Sequence, residues 1–143
     1  MTKSIRAAVA FMSLGLAAIS LPAQKSLRHR VVIEVNIEGA EAWKGVLNNI
    51  ENLQKVFGAS EIEIEAVSHG KGLGLLLKTN DAIRERLEQA AAKGVVFAAC
   101  QNTMRQQHVT KEDLFPFVIT VDSGVAEVVR KQEAGWSYLK AGQ

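Results

Sequence analysis

Four short apolar segments constrain the fold of this 143-residue chain more than any other feature of its sequence. They lie at residues 31–35, 62–67, 95–99 and 117–121, and their β-branched and aromatic residues are typical of buried strands. The second segment alternates apolar with acidic residues, which predicts an edge or half-covered strand. The third is apolar throughout, which predicts a central strand covered on both faces.

Helical patterns separate these strands. Apolar residues recur at spacings of three and four from Trp43 to Phe57, which predicts a helix of roughly 16 residues that ends at Gly58. A second helix is expected to end at Gly94, and a C-terminal helix is expected over Ser123–Leu139, with a break at Gly135 as the alternative. Alternation of strands with helices predicts an α/β fold in which a parallel sheet carries helices on both faces.

The first 23 residues have the composition of a secretory signal. Lys3 and Arg6 precede a short apolar stretch, and a proline–alanine pair suits cleavage before Gln24. The stretch is short for a membrane-spanning helix, although an uncleaved anchor or a first helix of the fold is the alternative. We therefore expect a signal peptide at 1–23 and a single domain at 24–143. With a bacterial source the mature protein would be periplasmic or exported, without membrane attachment.

Charge and cysteine content exclude several classes of function. The formal net charge is +2, and outside the first 23 residues basic and acidic residues are equal in number, which does not support a nucleic-acid partner. The one cysteine, Cys100, excludes a disulfide scaffold and any site that needs several thiolates. No ligand pair has metal spacing and no dinucleotide or Walker motif is present, so neither a metal nor a cofactor is predicted.

Cys100 and His69 are the predicted catalytic residues. Both follow strands, and ligands of parallel sheets bind where the carboxyl ends of the strands meet. Asn102 or Thr103 can cap a short helix after Cys100, and a helix N-terminus favours the nucleophilic thiolate. The alternative for Cys100 is a small buried apolar residue. His69 is expected to act as a base or to orient a ligand, unless it simply bonds a loop carbonyl.

Other polar residues at the same edge of the sheet are predicted to bind a ligand. The glycine-rich segment 70–74 either binds an anion through backbone N–H groups or forms a flexible turn. The predicted ligand-binding residues are Asn36, Gly70, Asn102, Thr103 and Ser123.

Four stretches of the sequence together resemble the DsrE/DsrF-like family, many members of which take part in sulfur relay. They are Val67–Gly70, Ala99–Met104, Ser123–Val129 and Gln132–Trp136. The likeness extends from about residue 29 to residue 140. It is closest to a less characterised subgroup, here with a secretory signal, whereas the relay members themselves are cytoplasmic.

The resemblance implies a fold, an assembly and a chemistry. The fold would be a three-layer α/β/α arrangement around a mainly parallel sheet of four to five strands, and the assembly a homotrimer or homohexamer. In the relay members, a cysteine after the third strand carries sulfur as a persulfide and passes it to a partner protein. Cys100 matches that place in the fold.

Two hypotheses for function follow. In the first, the protein handles sulfur: Cys100 carries the persulfide, His69 and the N–H groups near Asn102 and Thr103 stabilise its charge, and another protein donates or accepts the sulfur. In the second, the domain is a non-catalytic module that binds a small ligand or serves to oligomerise. The second is motivated by the absence of a complete catalytic constellation in the sequence.

Overall fold

The computed structural model describes residues 29–141, and the predicted signal segment lies outside them. Five parallel strands form one sheet in the order β4-β3-β2-β1-β5, which confirms the predicted α/β fold class. Within residues 29–141, no helix combines the length and the hydropathy required to cross a membrane. The strands are β1 His29–Val35, β2 Ile62–Ser68, β3 Val96–Cys100, β4 Ile119–Val121 and β5 Ser137–Lys140.

Helices cover both faces of the sheet. Strands β1 to β4 follow one another across the sheet, whereas β5 returns to the far side of β1. Because crossovers between parallel strands keep one hand, this reversal places the last helix on the face opposite to the first two. The α-helices are α1 Ala40–Phe57, α2 Arg84–Ala92, α3 Gln101–Gln106 and α4 Gly124–Glu133, and 3₁₀ turns occupy Gly70–Leu76, Asp81–Ile83 and Lys111–Asp113.

The two faces of the sheet have apolar cores of very different size. The face beneath α1 and α2 carries the larger cluster, which includes Ile33 and Phe97. The α4 face carries a small one, made of Val32, Val67, Ala98 and Val128. Since successive strand residues point to opposite faces, each strand contributes alternate side chains to the two clusters. The helix α4 is therefore held by far less apolar packing than its counterparts.

The predicted first helix is confirmed. Its apolar stripe buries Val46, Leu47 and Ile50 against the sheet. The helix ends where expected, because Gly58 adopts a φ of 88°, a left-handed conformation that glycine reaches without strain.

Of the two positions predicted for the second strand, the half-covered one is confirmed and the edge is not, since β2 is the central strand. Its alternating acids belong to the α4 face, where Glu63 is exposed and Glu65 is buried. Glu65 is tolerated there because it forms an ion pair with Lys131 of α4. The alternation thus reports a face that one helix covers incompletely rather than a position at the margin of the sheet.

The predicted C-terminal helix is confirmed with its break at Gly135, but it does not continue to Leu139. Helix α4 ends at Glu133, Gly135 turns the chain with a φ of 83°, and β5 pairs with β1 in parallel. Trp136 and Leu139 matched the helical spacing by coincidence. Trp136 instead packs against the α4-side cluster, whereas Leu139 packs against the larger cluster on the opposite face.

The glycine-rich segment is a buried 3₁₀ turn rather than a flexible loop. Gly72 is buried and lies directly against the end of β1, where a Cβ atom would come within 2.0 Å of the Val35 carbonyl oxygen. Only glycine allows the two backbones to approach this closely. The contact fixes the segment that carries His69 relative to β1.

Gly72→Ala is therefore expected to destabilise the fold by about 3 kcal/mol, because the new methyl group overlaps rigid backbone. Gly45→Ala is the matched control: this glycine lies within α1 with nothing in reach of a Cβ, so alanine should stabilise the fold by about 0.5–1 kcal/mol. Urea unfolding monitored by circular dichroism measures both changes. Equal stability of the two variants would contradict the proposed packing.

Candidate functional site

Cys100 is the last residue of β3 and lies directly before α3. Its residue surface is 4% exposed, and its side chain points to the α4 face, as does that of Ala98 two residues earlier. The sulfur is therefore buried between the carboxyl end of the sheet and the first residue of α4.

Hydrogen-bond donors surround this sulfur. The N–H groups of Thr103, Gly124 and Asn102 and the Thr103 hydroxyl lie beside the thiol and favour its ionised form. Burial by itself raises the pKa of the Cys100 thiol, but these donors outweigh it and bring the pKa below its usual value. The site therefore favours the thiolate, which is the nucleophilic form of cysteine.

The cap of the short helix differs from the prediction in detail. Helix α3 begins at Gln101, so Cys100, rather than Asn102 or Thr103, occupies the N-cap position, and its side chain makes no capping hydrogen bond. The amides of Asn102 and Thr103 instead belong to the first turn of the helix and lie beside the thiol. The expected electrostatic effect survives, because these amides lower the pKa of Cys100.

Gly124 brings α4 against Cys100 and His69. A Cβ atom at this position would lie 2.9 Å from the Cβ of His69 and 3.1 Å from the Cβ of Cys100. Ser123 caps α4, since its Oγ accepts a hydrogen bond from the Ala126 N–H at 3.4 Å. The contact at Gly124 thus places the ends of β2 and β3 and the start of α4 around one point.

His69 pairs with a carboxylate rather than with a loop carbonyl. Its Nε2 lies 2.8 Å from Oε1 of Glu34, and both side chains are 17% exposed. The second carboxylate oxygen of Glu34 accepts a hydrogen bond from the Tyr138 hydroxyl. A row of polar groups therefore runs from Tyr138 on β5 through Glu34 on β1 to His69 after β2.

The pKa values in this row follow from the shared carboxylate. Burial raises the pKa of Glu34, but the hydrogen bonds from Tyr138 and His69 outweigh it, so the pKa is lowered. The same hydrogen bond raises the pKa of Tyr138 to about 12. Glu34 is consequently a carboxylate and Tyr138 a neutral phenol at neutral pH.

Glu34 and Tyr138 were missed by the sequence analysis. The sequence does carry a signal for Glu34, which is an acid within an otherwise apolar strand, two residues before the predicted site residue Asn36. Tyr138 gave no signal, because its segment was predicted to be helical. The structure places Asn36 after β1, two strands from Cys100, where its backbone packs against Gly72.

The remaining predicted ligand-binding residues lie around the Cys100 loop. The Gly70 N–H donates to Thr103 Oγ1 at 2.9 Å, so Thr103 ties the glycine-rich segment to the residues that surround the sulfur. The Asn102 side chain is exposed and accepts a hydrogen bond from Arg105. Ligand binding by Asn36, Gly70, Asn102, Thr103 and Ser123 stays a prediction.

Neither a metal site nor the cavity between β1 and β5 coincides with Cys100 and His69 in the part of the chain that the structure describes. Residues 29–141 contain no group of three or more histidine, cysteine, aspartate or glutamate side chains placed to hold a metal ion. A cavity of about 520 Å³ opens where β1 and β5 begin, lined by residues that include Arg30, Phe57 and Leu139. Neither Cys100 nor His69 lines it, so its volume carries no information about the sulfur site.

Thr103→Val is expected to raise the pKa of Cys100 relative to the wild type, because it removes the hydroxyl that donates to Sγ. Alkylation by iodoacetamide at neutral pH should become about five-fold slower, which corresponds to one hydrogen bond of about 1 kcal/mol. Thr103→Ser keeps the hydroxyl and should retain the wild-type pH curve. Superimposable curves for the valine variant and the wild type would contradict the role of the hydroxyl.

Comparisons with known proteins place this geometry in a family. A search of curated proteins finds no match. Among solved structures, a protein of unknown function, MTH1491 from Methanobacterium thermoautotrophicum, is 31% identical with a TM-score of 0.68, over 78% of this chain and 98% of that one. The ychN protein from E. coli shares the fold with a TM-score of 0.62 at 14% identity, over 79% of this chain and 98% of its own. The sequence profile of the DsrE/DsrF-like family matches residues 26–141, and the chain belongs to that family.

Proposed function

We propose that the protein handles sulfur and carries it as a persulfide on Cys100 for transfer to a partner. Membership of the DsrE/DsrF-like family supports a role related to sulfur relay. The observation that carries the finer proposal is the set of donors directed at Sγ, which lowers the pKa of the only thiol in the chain. A thiolate at neutral pH is what attack on a sulfur donor requires.

The loading step balances without an oxidant. The Cys100 thiolate attacks the outer sulfur of a sulfane donor such as thiosulfate, a new S–S bond forms, and sulfite leaves with the electron pair of the broken S–S bond. In the unloading step, an acceptor thiolate attacks the outer sulfur of the persulfide, and the Cys100 thiolate leaves. Its lowered pKa makes Cys100 a good leaving group, because thiols of lower pKa leave faster.

The chain has no second thiol that could remove the sulfur from Cys100. A persulfide close to a second thiol in the same chain would be resolved to a disulfide, with loss of the carried sulfur. The sequence contains no second cysteine, so the sulfur stays on Cys100 until an external acceptor arrives. This supports a carrier rather than a redox sensor with a resolving thiol.

Mass spectrometry of the purified protein after incubation with thiosulfate tests the proposal. Wild-type protein should gain the mass of one sulfur atom on the peptide that contains Cys100, and treatment with a reducing thiol should remove it. Cys100→Ser and protein previously blocked with iodoacetamide should gain nothing. Failure of the wild-type protein to gain the mass of sulfur after this incubation would overturn the proposal.

The second candidate is a non-catalytic binding or assembly module, and the burial of Cys100 favours it. A 4% exposed residue behaves as a small apolar side chain in many cores. Under this hypothesis the thiol stays unmodified and the Cys100→Ser variant keeps its assembly. The same mass measurement therefore separates the two functions.

We propose that the chain forms a homotrimer or homohexamer and that the α4 side of the sheet forms the interface. Val125 and Val129 lie one turn apart on α4 and are 56% and 52% exposed, and Ile119 on β4 is also exposed on this face. Exposed apolar side chains grouped on one face are typical of protein interfaces. Because the apolar cluster beneath α4 is small, this face has apolar surface left that an interface can bury.

Val129→Glu is expected to reduce the assembled mass, because it buries a charge at the proposed interface. Light scattering coupled to gel filtration measures the mass of the wild type and the variant. Val56→Glu is the matched control, since this 74% exposed valine lies on α1, on the opposite side of the sheet. A wild-type mass equal to that of one chain, or equal loss of assembly in both variants, would contradict the proposal.

A further inference from the structure

The polar row of Tyr138, Glu34 and His69 lies beside Cys100 but has no part in the sulfur transfer as proposed above. His69 is held by its backbone on both sides: its N–H donates to the Val35 carbonyl at 3.0 Å, and its carbonyl accepts from the Gly72 N–H at 2.9 Å. Its ring is fixed as well, through the contact of Nε2 with Glu34 at 2.8 Å. A histidine on the surface of a loop needs none of these three restraints.

Glu34 determines which nitrogen of His69 carries the proton. An ionised carboxylate only accepts hydrogen bonds, so the nitrogen that faces it, Nε2, must carry a hydrogen atom. In the neutral ring, Nδ1 then presents a lone pair. The hydrogen bond from Tyr138 to the other oxygen of Glu34 holds the carboxylate in place and supports its ionised state.

His69 lies next to the sulfur through Gly124. A Cβ atom on this glycine would lie 2.9 Å from the Cβ of His69, 3.1 Å from the Cβ of Cys100 and 3.4 Å from Cδ2 of the His69 ring. The two side chains therefore start from the same point at the end of the sheet, where a molecule that reacts with Cys100 can come within hydrogen-bond reach of His69, directly or through one water.

We propose that Glu34 and Tyr138 are positioning residues that hold His69 as the base for the thiol that accepts sulfur from Cys100. This inference rests on the proposed persulfide. As the acceptor approaches, its S–H proton moves to Nδ1 of His69, and the resulting thiolate attacks the outer sulfur of the persulfide. The S–S bond of Cys100 breaks, the Cys100 thiolate leaves with the electron pair, and the sulfur departs on the acceptor. The carboxylate of Glu34 stabilises the imidazolium that forms.

Other charged groups near this row do not supply the same function. Lys140 on β5 faces Glu34 and adds a favourable charge, but an ammonium cannot accept a proton. The contact from α4 is Gly124, which carries no side chain. The Cys100 sulfur already accepts from its own donors and is the atom that reacts. Nδ1 of His69 is thus the atom in this row that has a lone pair free to accept a proton.

Transfer of sulfur from preloaded protein to 2-mercaptoethanol, followed over a range of pH, tests the inference. In the wild type, transfer should remain fast below the pKa of the acceptor thiol, because His69 removes its proton. In Glu34→Gln the rate should fall about 100-fold at neutral pH and follow the thiolate fraction of the acceptor as the pH rises. Tyr138→Phe removes one of the hydrogen bonds to Glu34, so it should show a smaller loss of the same kind and guards against misfolding of the first variant.

Two controls separate positioning from a structural role. Alkylation of unloaded Cys100 by iodoacetamide should be unchanged in Glu34→Gln, because the donors to Sγ come from other residues. Glu38→Gln removes a nearby carboxylate that pairs with exposed Lys71, and should leave the pH profile as in the wild type. An unaltered pH profile in Glu34→Gln, or equal losses of transfer and alkylation, overturns the inference but leaves the persulfide intact. Failure of the wild type to load sulfur overturns both.

Discussion

The close approach of α4 to the ends of β2 and β3 is the contact on which the site depends. Gly124 has no side chain, so the first amide of α4 can reach the Cys100 sulfur while its Cα lies against His69. Any larger residue would push the helix outward and remove this donor. The requirement is one of space: Gly124 does not have the positive φ that explains the glycines at 58 and 135.

The helix that supplies this donor belongs to the more weakly packed layer. Its apolar support is the small cluster around Val128, supplemented by the ion pair of Lys131 with Glu65. Lys131 also lies 4.3 Å from the centre of the Trp136 ring, which adds a cation–π contact at the end of the helix. Thr103 and Asn102, in contrast, belong to the chain that continues directly from Cys100. Outward displacement of α4 would therefore remove one donor and open the sulfur, while the others remain in place.

Sequence patterns predicted the parts of the fold that depend on local periodicity. The α1 stripe and its terminal glycine were found because they repeat over several turns. The last strand was not, because β5 has four residues and its apolar residues fit a continuation of α4 equally well. Only pairing with β1, which no local pattern encodes, decides between the two. The central position of β2 was hidden for a similar reason, since the partner of Glu65 lies 66 residues later in the chain.

The same distinction applies to the site. The proximity of Cys100 and His69 was predictable because residues after parallel strands gather at one edge of the sheet. Glu34 and Tyr138 act within strands, and their relation to His69 depends on the strand order β2-β1-β5, which places the three in neighbouring positions. Strand order follows from tertiary packing and from the reversal before β5. Separate segments of the sequence therefore could not predict that Glu34 and Tyr138 hold His69.

The surroundings of Cys100 come partly from the helix that follows it and partly from elsewhere in the fold. The first amides of a helix lack acceptors within the helix, and at α3 those of Asn102 and Thr103 lie beside the Cys100 thiol and lower its pKa. A cap alone accounts for the amides of Asn102 and Thr103, because they belong to the same turn. It does not account for the Thr103 hydroxyl or for Gly124, which arrives from another helix after a gap of 24 residues. Donors in excess of those that the start of a helix supplies thus lower the pKa of this thiol despite its burial.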